Sequence, residues 1–159
     1  MYFSSVLGCN LGMFYKRRDY TRVVNGRNPI VAHEYLGDSV EGKTVFIADD
    51  IIASGESMLE VASNLKTRGA KRIIADATFP LFTSGLDKFD KAVEEGTLDY
   101  VVGTNLTYRK PELLNRDWYV DVDVSKYAAY FIVALNHDMS VSSIIDPIKK
   151  IEALLASRK

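Results

Sequence analysis

One cysteine, Cys9, and two histidines, His33 and His137, are all that this chain of 159 residues offers to a disulfide or a soft metal. A single thiol cannot close an intrachain bridge, and no Cys/His cluster with zinc spacing accompanies it. Packing alone must hold the fold, and a reducing compartment, the cytoplasm, is expected. Cys9 itself is expected to be a small packed residue. The histidines lie far apart and are assigned to structural or surface positions. An excess of one charge is lacking too. Twenty Lys and Arg against 21 Asp and Glu leave a formal charge of -1, which argues against a general polyanion binder and leaves room for one local anion site. No apolar run approaches the roughly 18 residues needed to span a bilayer, and the N-terminus lacks the charged-then-apolar layout of a signal peptide. Neither a membrane nor a nucleic acid is an expected partner. Trp118 and the nine tyrosines lack basic interleaving and are assigned to the core.

What is present is the composition of a soluble globular domain, 47% hydrophobic and 26% charged. A single domain over 1–159 is the natural expectation, since a chain of this length can bury roughly two-thirds of its unfolded surface. Thr44 to Ala48 is a short run of strand formers that stops at Asp49-Asp50, as a buried strand does on reaching solvent. Met58, Leu59, Ala62 and Leu65 recur at helical spacing and Gly69 stands at a helix stop, which predicts a helix over 57–68. A strand over 72–78, a helix over 86–95, strands at 100–102 and 118–122 and a helix over 125–136 complete a βαβ rhythm. The fold class is therefore α/β, a mainly parallel sheet flanked by helices, with ligands gathering at the carboxyl ends of strands. A last surface helix is expected within 147–159. The polar, basic segment 15–37, with Asn25-Gly26 and Asn28-Pro29, reads as a long loop or a flexible hairpin.

The chemistry concentrates in Val45 to Ser57, where strand, paired acids, small-residue turn and helix start follow in order. A phosphate monoester needs inward-pointing backbone N–H groups, and a Ser-Gly turn feeding a helix N-terminus supplies them together with the positive end of the helix dipole. Gly55 lets the backbone approach, and Ser54 and Ser57 add hydroxyl donors. Asp49 and Asp50 stand about one ribose length away, able to accept from sugar hydroxyls or to bind hydrated Mg²⁺. The plainer reading is that Ser57 and Glu60 form a capping box and that the acids are merely solvated. Glu56 counts against phosphate unless its carboxylate points away. Asn105 and Thr107, after the third strand, are expected to edge the site, and Ser140 to Ser143 to form a turn or a subunit contact.

Ile47-Ala48-Asp49-Asp50-Ile51-Ile52-Ala53-Ser54-Gly55-Glu56-Ser57 resembles the phosphoribosyl-binding signature of type I phosphoribosyltransferase folds. Lys16-Arg17-Arg18 upstream, Gly42-Lys43 before the strand, Gly69-Ala70-Lys71 after the helix and Ser140-Val141-Ser142-Ser143-Ile144 near the end extend the likeness over nearly the whole chain. That order is similar to the C-terminal half of ribose-phosphate pyrophosphokinases. The resemblance implies transfer of the diphosphoryl group of ATP to ribose 5-phosphate, giving phosphoribosyl pyrophosphate for nucleotide biosynthesis, with Mg²⁺ as cofactor and a homo-oligomeric enzyme. It assigns Ser54, Gly55, Glu56 and Ser57 to the 5-phosphate, and Asp49 and Asp50 to the ribose hydroxyls and the metal. It assigns Lys16 and Arg18 to a basic catalytic pair on a flexible loop within 15–37. Without the likeness, that pair reads as a solvated basic turn. Ala53 departs from family members that carry an acid there, which speaks against the alternative of a salvage phosphoribosyltransferase. A further alternative is a non-catalytic regulatory or associated subunit. The resemblance also implies an incomplete domain that begins inside a helix, so activity in isolation stays open.

Overall fold

In the computed structural model, which describes residues 2–18 and 30–157, the chain divides into two units, Met1–Ser39 with Ile148–Lys159, and Val40–Pro147. In the first, α1 (Tyr2–Leu7) precedes two strands, β1 (Met13–Arg18) and β2 (Ile30–Leu36), which pair antiparallel as a hairpin. The pairing sets Lys16 opposite His33 and Arg18 opposite Ile30, with an irregularity between Arg17 and Arg18. The ends of the segment 15–37 are thus strand, and its centre, 19–29, lies outside the described residues. At the base of the hairpin the Tyr35 hydroxyl donates to the Asp38 carbonyl at 3.0 Å, and its ring lies so close to Gly12 that an added Cβ would sit 2.4 Å from the hydroxyl oxygen. Cys9 is exposed rather than packed. It follows α1 in a polar turn where Asn10 Nδ2 donates to Asp38 Oδ2.

The second unit carries the α/β architecture expected. Its elements are β3 (Thr44–Ile52), α2 (Glu56–Thr67), β4 (Arg72–Pro80), α3 (Asp87–Glu94), β5 (Tyr100–Thr104), α4 (Pro111–Leu114), β6 (Tyr119–Val122), α5 (Ser125–Asn136) and α6 (Ser142–Ile145). The four strands are all parallel, in the order β3-β4-β5-β6. Along β4 the burial alternates, as the two-residue period of a strand requires, and Ile73, Ala75 and Ala77 are sealed. Met58, Ala62 and Leu65 of α2, and Phe89 and Ala92 of α3, are the buried positions of their helices. Phe82, Phe89, Trp118 and Tyr119 form one aromatic cluster, with Phe82 edge-on to Phe89 at 4.9 Å and Phe89 stacked on Trp118 at 5.9 Å. Such geometry adds to area burial because ring edges and faces carry opposite partial charge.

Two expectations about β3 are corrected. It does not stop at Asp49-Asp50 but runs on to Ile52, because Asp49 pairs beside Ala77, Ile51 beside Phe79 and Ile52 beside Pro80. Nor is it a buried strand. Among the described residues it is an edge strand, and Phe46 and Ile51 are exposed. The short α4, with Pro111 at its first turn, was not foreseen, whereas β1 and β2 are the strands of the hairpin that was one of the two readings of 15–37. The serine-rich stretch closes on itself, with Ser142 N donating to Ser140 Oγ before the short α6. The final helix, α7 (Ile148–Ala156), belongs to the first unit and packs on α1. No helix among the described residues is long and apolar enough to cross a membrane.

Candidate functional site

The carboxyl end of β3 leads through Ala53-Ser54-Gly55 into α2, and neighbouring backbone braces this turn. The Ile52 carbonyl accepts from the Leu81 amide at 2.9 Å and the Phe82 amide at 3.1 Å, and the Ala53 carbonyl accepts from Thr83 at 2.9 Å. The connection after β4 therefore runs along the turn after β3. To make these contacts Phe82 takes a left-handed conformation, φ 46°, which a non-glycine residue adopts only when packing enforces it, and its ring is buried in the aromatic cluster.

Gly55 is the residue that caps α2, with φ 77° and no side-chain cap. An added Cβ would lie 2.3 Å from Phe89 Cε2 and 2.4 Å from Phe89 Cζ. Two requirements thus meet at one position, a left-handed backbone and the absence of a side chain, and glycine alone satisfies both. The capping-box reading is overturned here: Ser57 is the second residue of the helix, not its cap, because the left-handed turn at Gly55 starts α2 two residues earlier than a cap at Ser57 would. Among the described residues nothing accepts from the Ser57 or Met58 amides, and the Glu56 amide reaches Ser54 Oγ only at 3.5 Å. Open N–H groups at the positive end of a twelve-residue helix are the arrangement that takes an anion.

Glu56 and Ser57 are exposed, Ser54 is half-buried and Gly55 is buried. The Glu56 carboxylate points to α3, where Lys88 Nζ donates to its Oε1 at 2.6 Å. That hydrogen bond and the lysine's charge hold the Glu56 carboxyl below its ordinary value. The sequence alone singled out neither Lys88 nor Phe89, which lie more than thirty positions from the turn they shape.

Asp49 and Asp50 are both exposed, and as consecutive strand residues they project to opposite faces of the sheet. Asp49 stands on the side of Ala77 and accepts the Asp50 amide on Oδ1 at 2.8 Å. Asp50 takes the face of Asp76, an unforeseen carboxyl in mid-strand, paired in register with Ala48 and Val102. Burial pushes the Asp76 carboxyl up from its ordinary value. Among the described residues no group of three or more His, Cys, Asp or Glu side chains is arranged to hold a metal ion, so a divalent cation here would take one or two carboxylates and complete its shell from ligand and water.

Asn105 is occupied in bracing α5: its Nδ2 donates to Asp123 Oδ1 at 2.6 Å and to Ser125 Oγ at 2.9 Å, and its Oδ1 accepts the Val124 amide. Hydrogen bonds from Ser125, side chain and backbone, and from Asn105 hold Asp123 low. Thr107 is half-buried in the loop that follows. Lys16 and Arg18 lie on β1, in the other unit.

Known proteins resemble this chain in sequence and in fold. The phosphoribosyl transferase domain family matches residues 2–126. Ribose-phosphate pyrophosphokinase of Wolinella succinogenes is 35% identical over 111 residues, 70% of this chain and 33% of the relative. That of Thermotoga maritima is 31% identical over 140 residues, 87% of this chain and 40% of the relative. The crystal structure of phosphoribosylpyrophosphate synthetase from Mycobacterium smegmatis superposes with a TM-score of 0.65 at 21% identity, over 86% of this chain and 40% of that one, and shares its fold. The chain spans a third to two-fifths of the length of these proteins. A glycine-capped helix with open amides, following a parallel strand that carries an acid pair near its carboxyl end, is here joined to a match over most of the sequence, and the chain belongs to the phosphoribosyl transferase domain family.

Proposed function

We propose that this chain is the ribose 5-phosphate binding part of a ribose-phosphate diphosphokinase, which transfers the diphosphoryl group of ATP to ribose 5-phosphate. The observation that carries the reading is the Gly55 turn, where open amides and the α2 dipole face solvent while Lys88 draws the Glu56 carboxylate aside. The 5-phosphate sits on the amides and hydroxyls of Ser54 to Ser57. Asp49 and Asp50, approaching from the two faces of β3, accept from the ribose hydroxyls. Exposed carboxylates are hard oxygen donors of the kind Mg²⁺ uses beside substrate phosphates, so either acid fits as a partial ligand. The bound ion would supply charge neutralisation to the phosphates. Lys16 and Arg18 contribute the cations that stabilise charge on the transferring group. Exposed Ala53 offers no carboxylate to a nucleobase, which favours this reaction over salvage transfer. Homo-oligomeric assembly and a cytoplasmic location belong to the same reading.

Calorimetry of ribose 5-phosphate with Mg²⁺ tests it. Saturable binding weakened by Asp50→Ala and by Ser57→Ala is expected. A folded chain that binds ribose 5-phosphate no better than ribose would refute a phosphate site at this turn.

A further inference from the structure

With no side-chain cap on α2, the turn before it, Ala53-Ser54-Gly55, takes its shape from neighbouring parts of the fold. The amides of Leu81, Phe82 and Thr83 hold the carbonyls of Ile52 and Ala53, and the Phe89 ring lies against Gly55. Phe82 belongs to both supports. Its backbone, at φ 46°, aligns the three donors, and its ring meets Phe89 edge-on at 4.9 Å. The ring packs as well against Trp118 at 6.1 Å and Tyr119 at 6.2 Å, and in the stretch 81–85 Phe82 is the one buried residue. A left-handed conformation is unfavourable for any residue with a Cβ, so only the anchored ring keeps this backbone in place.

We propose that Phe82 is a positioning residue of the anion turn: its buried ring locks a strained backbone, and that backbone holds Ala53 to Gly55 in the shape from which the α2 amides take phosphate. The inference rests on the sugar-phosphate reading given above. A site held ready in this way loses little freedom when its ligand arrives, and the ligand meets it already formed. Being buried, the ring acts through the amides on either side of it and through Phe89, not by touching the sugar. Alanine and glycine separate this role from simple burial. Both remove the ring, but glycine accepts the left-handed conformation without steric cost and alanine does not.

Hydrogen exchange and ribose 5-phosphate calorimetry with Mg²⁺, both on the full chain, read the outcome. In Phe82→Ala the amides of Leu81 and Thr83 should exchange about tenfold faster than in Phe82→Gly, the ratio set by one left-handed residue. Affinity should fall in the same order, with Phe82→Ala up to about tenfold weaker than Phe82→Gly, since only the braced fraction binds. Leu98→Ala is the control for lost packing, a sealed side chain just before β5, at the amino ends of the strands. It should lower the melting temperature while leaving the exchange of Leu81 and Thr83 and the affinity near wild type. Phe82→Ala matching Phe82→Gly in both measurements, or Leu98→Ala weakening binding as much as Phe82→Ala, would overturn the proposal. A wild-type chain without affinity for ribose 5-phosphate would sink the sugar-phosphate reading instead, and the exchange of Leu81 and Thr83, which needs no ligand, would still decide whether Phe82 holds the turn.

Discussion

Lys88 Nζ and Glu56 Oε1 meet at 2.6 Å, an ion pair between the start of α3 and the first turn of α2. Glu56 adjoins the open amides, and a carboxylate left free there would repel a bound phosphate. Lys88 neutralises it and draws it towards α3. Lys88→Ala should therefore weaken ribose 5-phosphate binding by roughly 2- to 5-fold, the scale of an exposed ion pair. The double variant Lys88→Ala/Glu56→Gln should recover most of the loss. Calorimetry on the four combinations measures the coupling, and additive effects would show that the pair acts independently of the anion site.

Gly55→Ala should destabilise the second unit by about 2–4 kcal/mol, the sum of a left-handed residue with a Cβ and an overpacked contact with Phe89. Phe89→Leu on the same background should return part of it. Thermal unfolding followed by the fluorescence of Trp118, the single tryptophan, reports both.

Asp90 accepts from Arg116 Nε at 2.9 Å, Arg116 Nη2 at 2.8 Å and Trp118 Nε1 at 2.7 Å. Burial alone would raise its carboxyl, but these hydrogen bonds and the arginine's charge outweigh that and hold it below the usual value. A carboxyl depressed in the folded state stabilises fully above its unfolded value, about 4, and loses that contribution as pH falls through the folded value. Asp90→Ala should cost about 1–2 kcal/mol at pH 7, tempered by partial exposure. The difference from wild type should shrink towards pH 2, as denaturant melts at several pH values would show.

Asp76 has the opposite sign. Its raised carboxyl favours the folded state most below pH 4, and that contribution is lost as pH rises through the folded value. Asp76→Asn should raise the melting temperature by about 2–4 °C at pH 7 and leave it unchanged near pH 3. An equal gain at both pH values would assign the effect to packing rather than charge.

Local pattern made much of this legible. The switch from two-residue to helical spacing between Ile47 and Met58 announced β3 and α2, and α5 spans the residues its periodicity gave, Ser125–Asn136. Two acids in a row looked like the end of a strand, yet the ladder to Ala77 and Pro80 carried β3 past them, since pairing depends on the neighbour more than on side-chain polarity. Ser57 and Glu60 matched a capping pattern, but the helix start was decided by Gly55 against a ring 34 positions away. Lys88 went unnoticed for the same reason. The turn's composition was written locally, and its charge balance was written in another helix.

The outer position of β3 also bears on how the chain must be handled. Val45-Phe46-Ile47-Ala48 on one side of the acid pair and Ile51-Ile52 on the other form an apolar strand at the edge of the four-stranded sheet. Such segments recruit further strands and grow into fibres unless a charge interrupts them. Asp49 and Asp50 sit at that interruption and act as gatekeepers. Neutralising both to erase sugar binding would leave nine residues, Thr44 to Ile52, without a charge, so a loss of activity in that double variant could be precipitation in disguise.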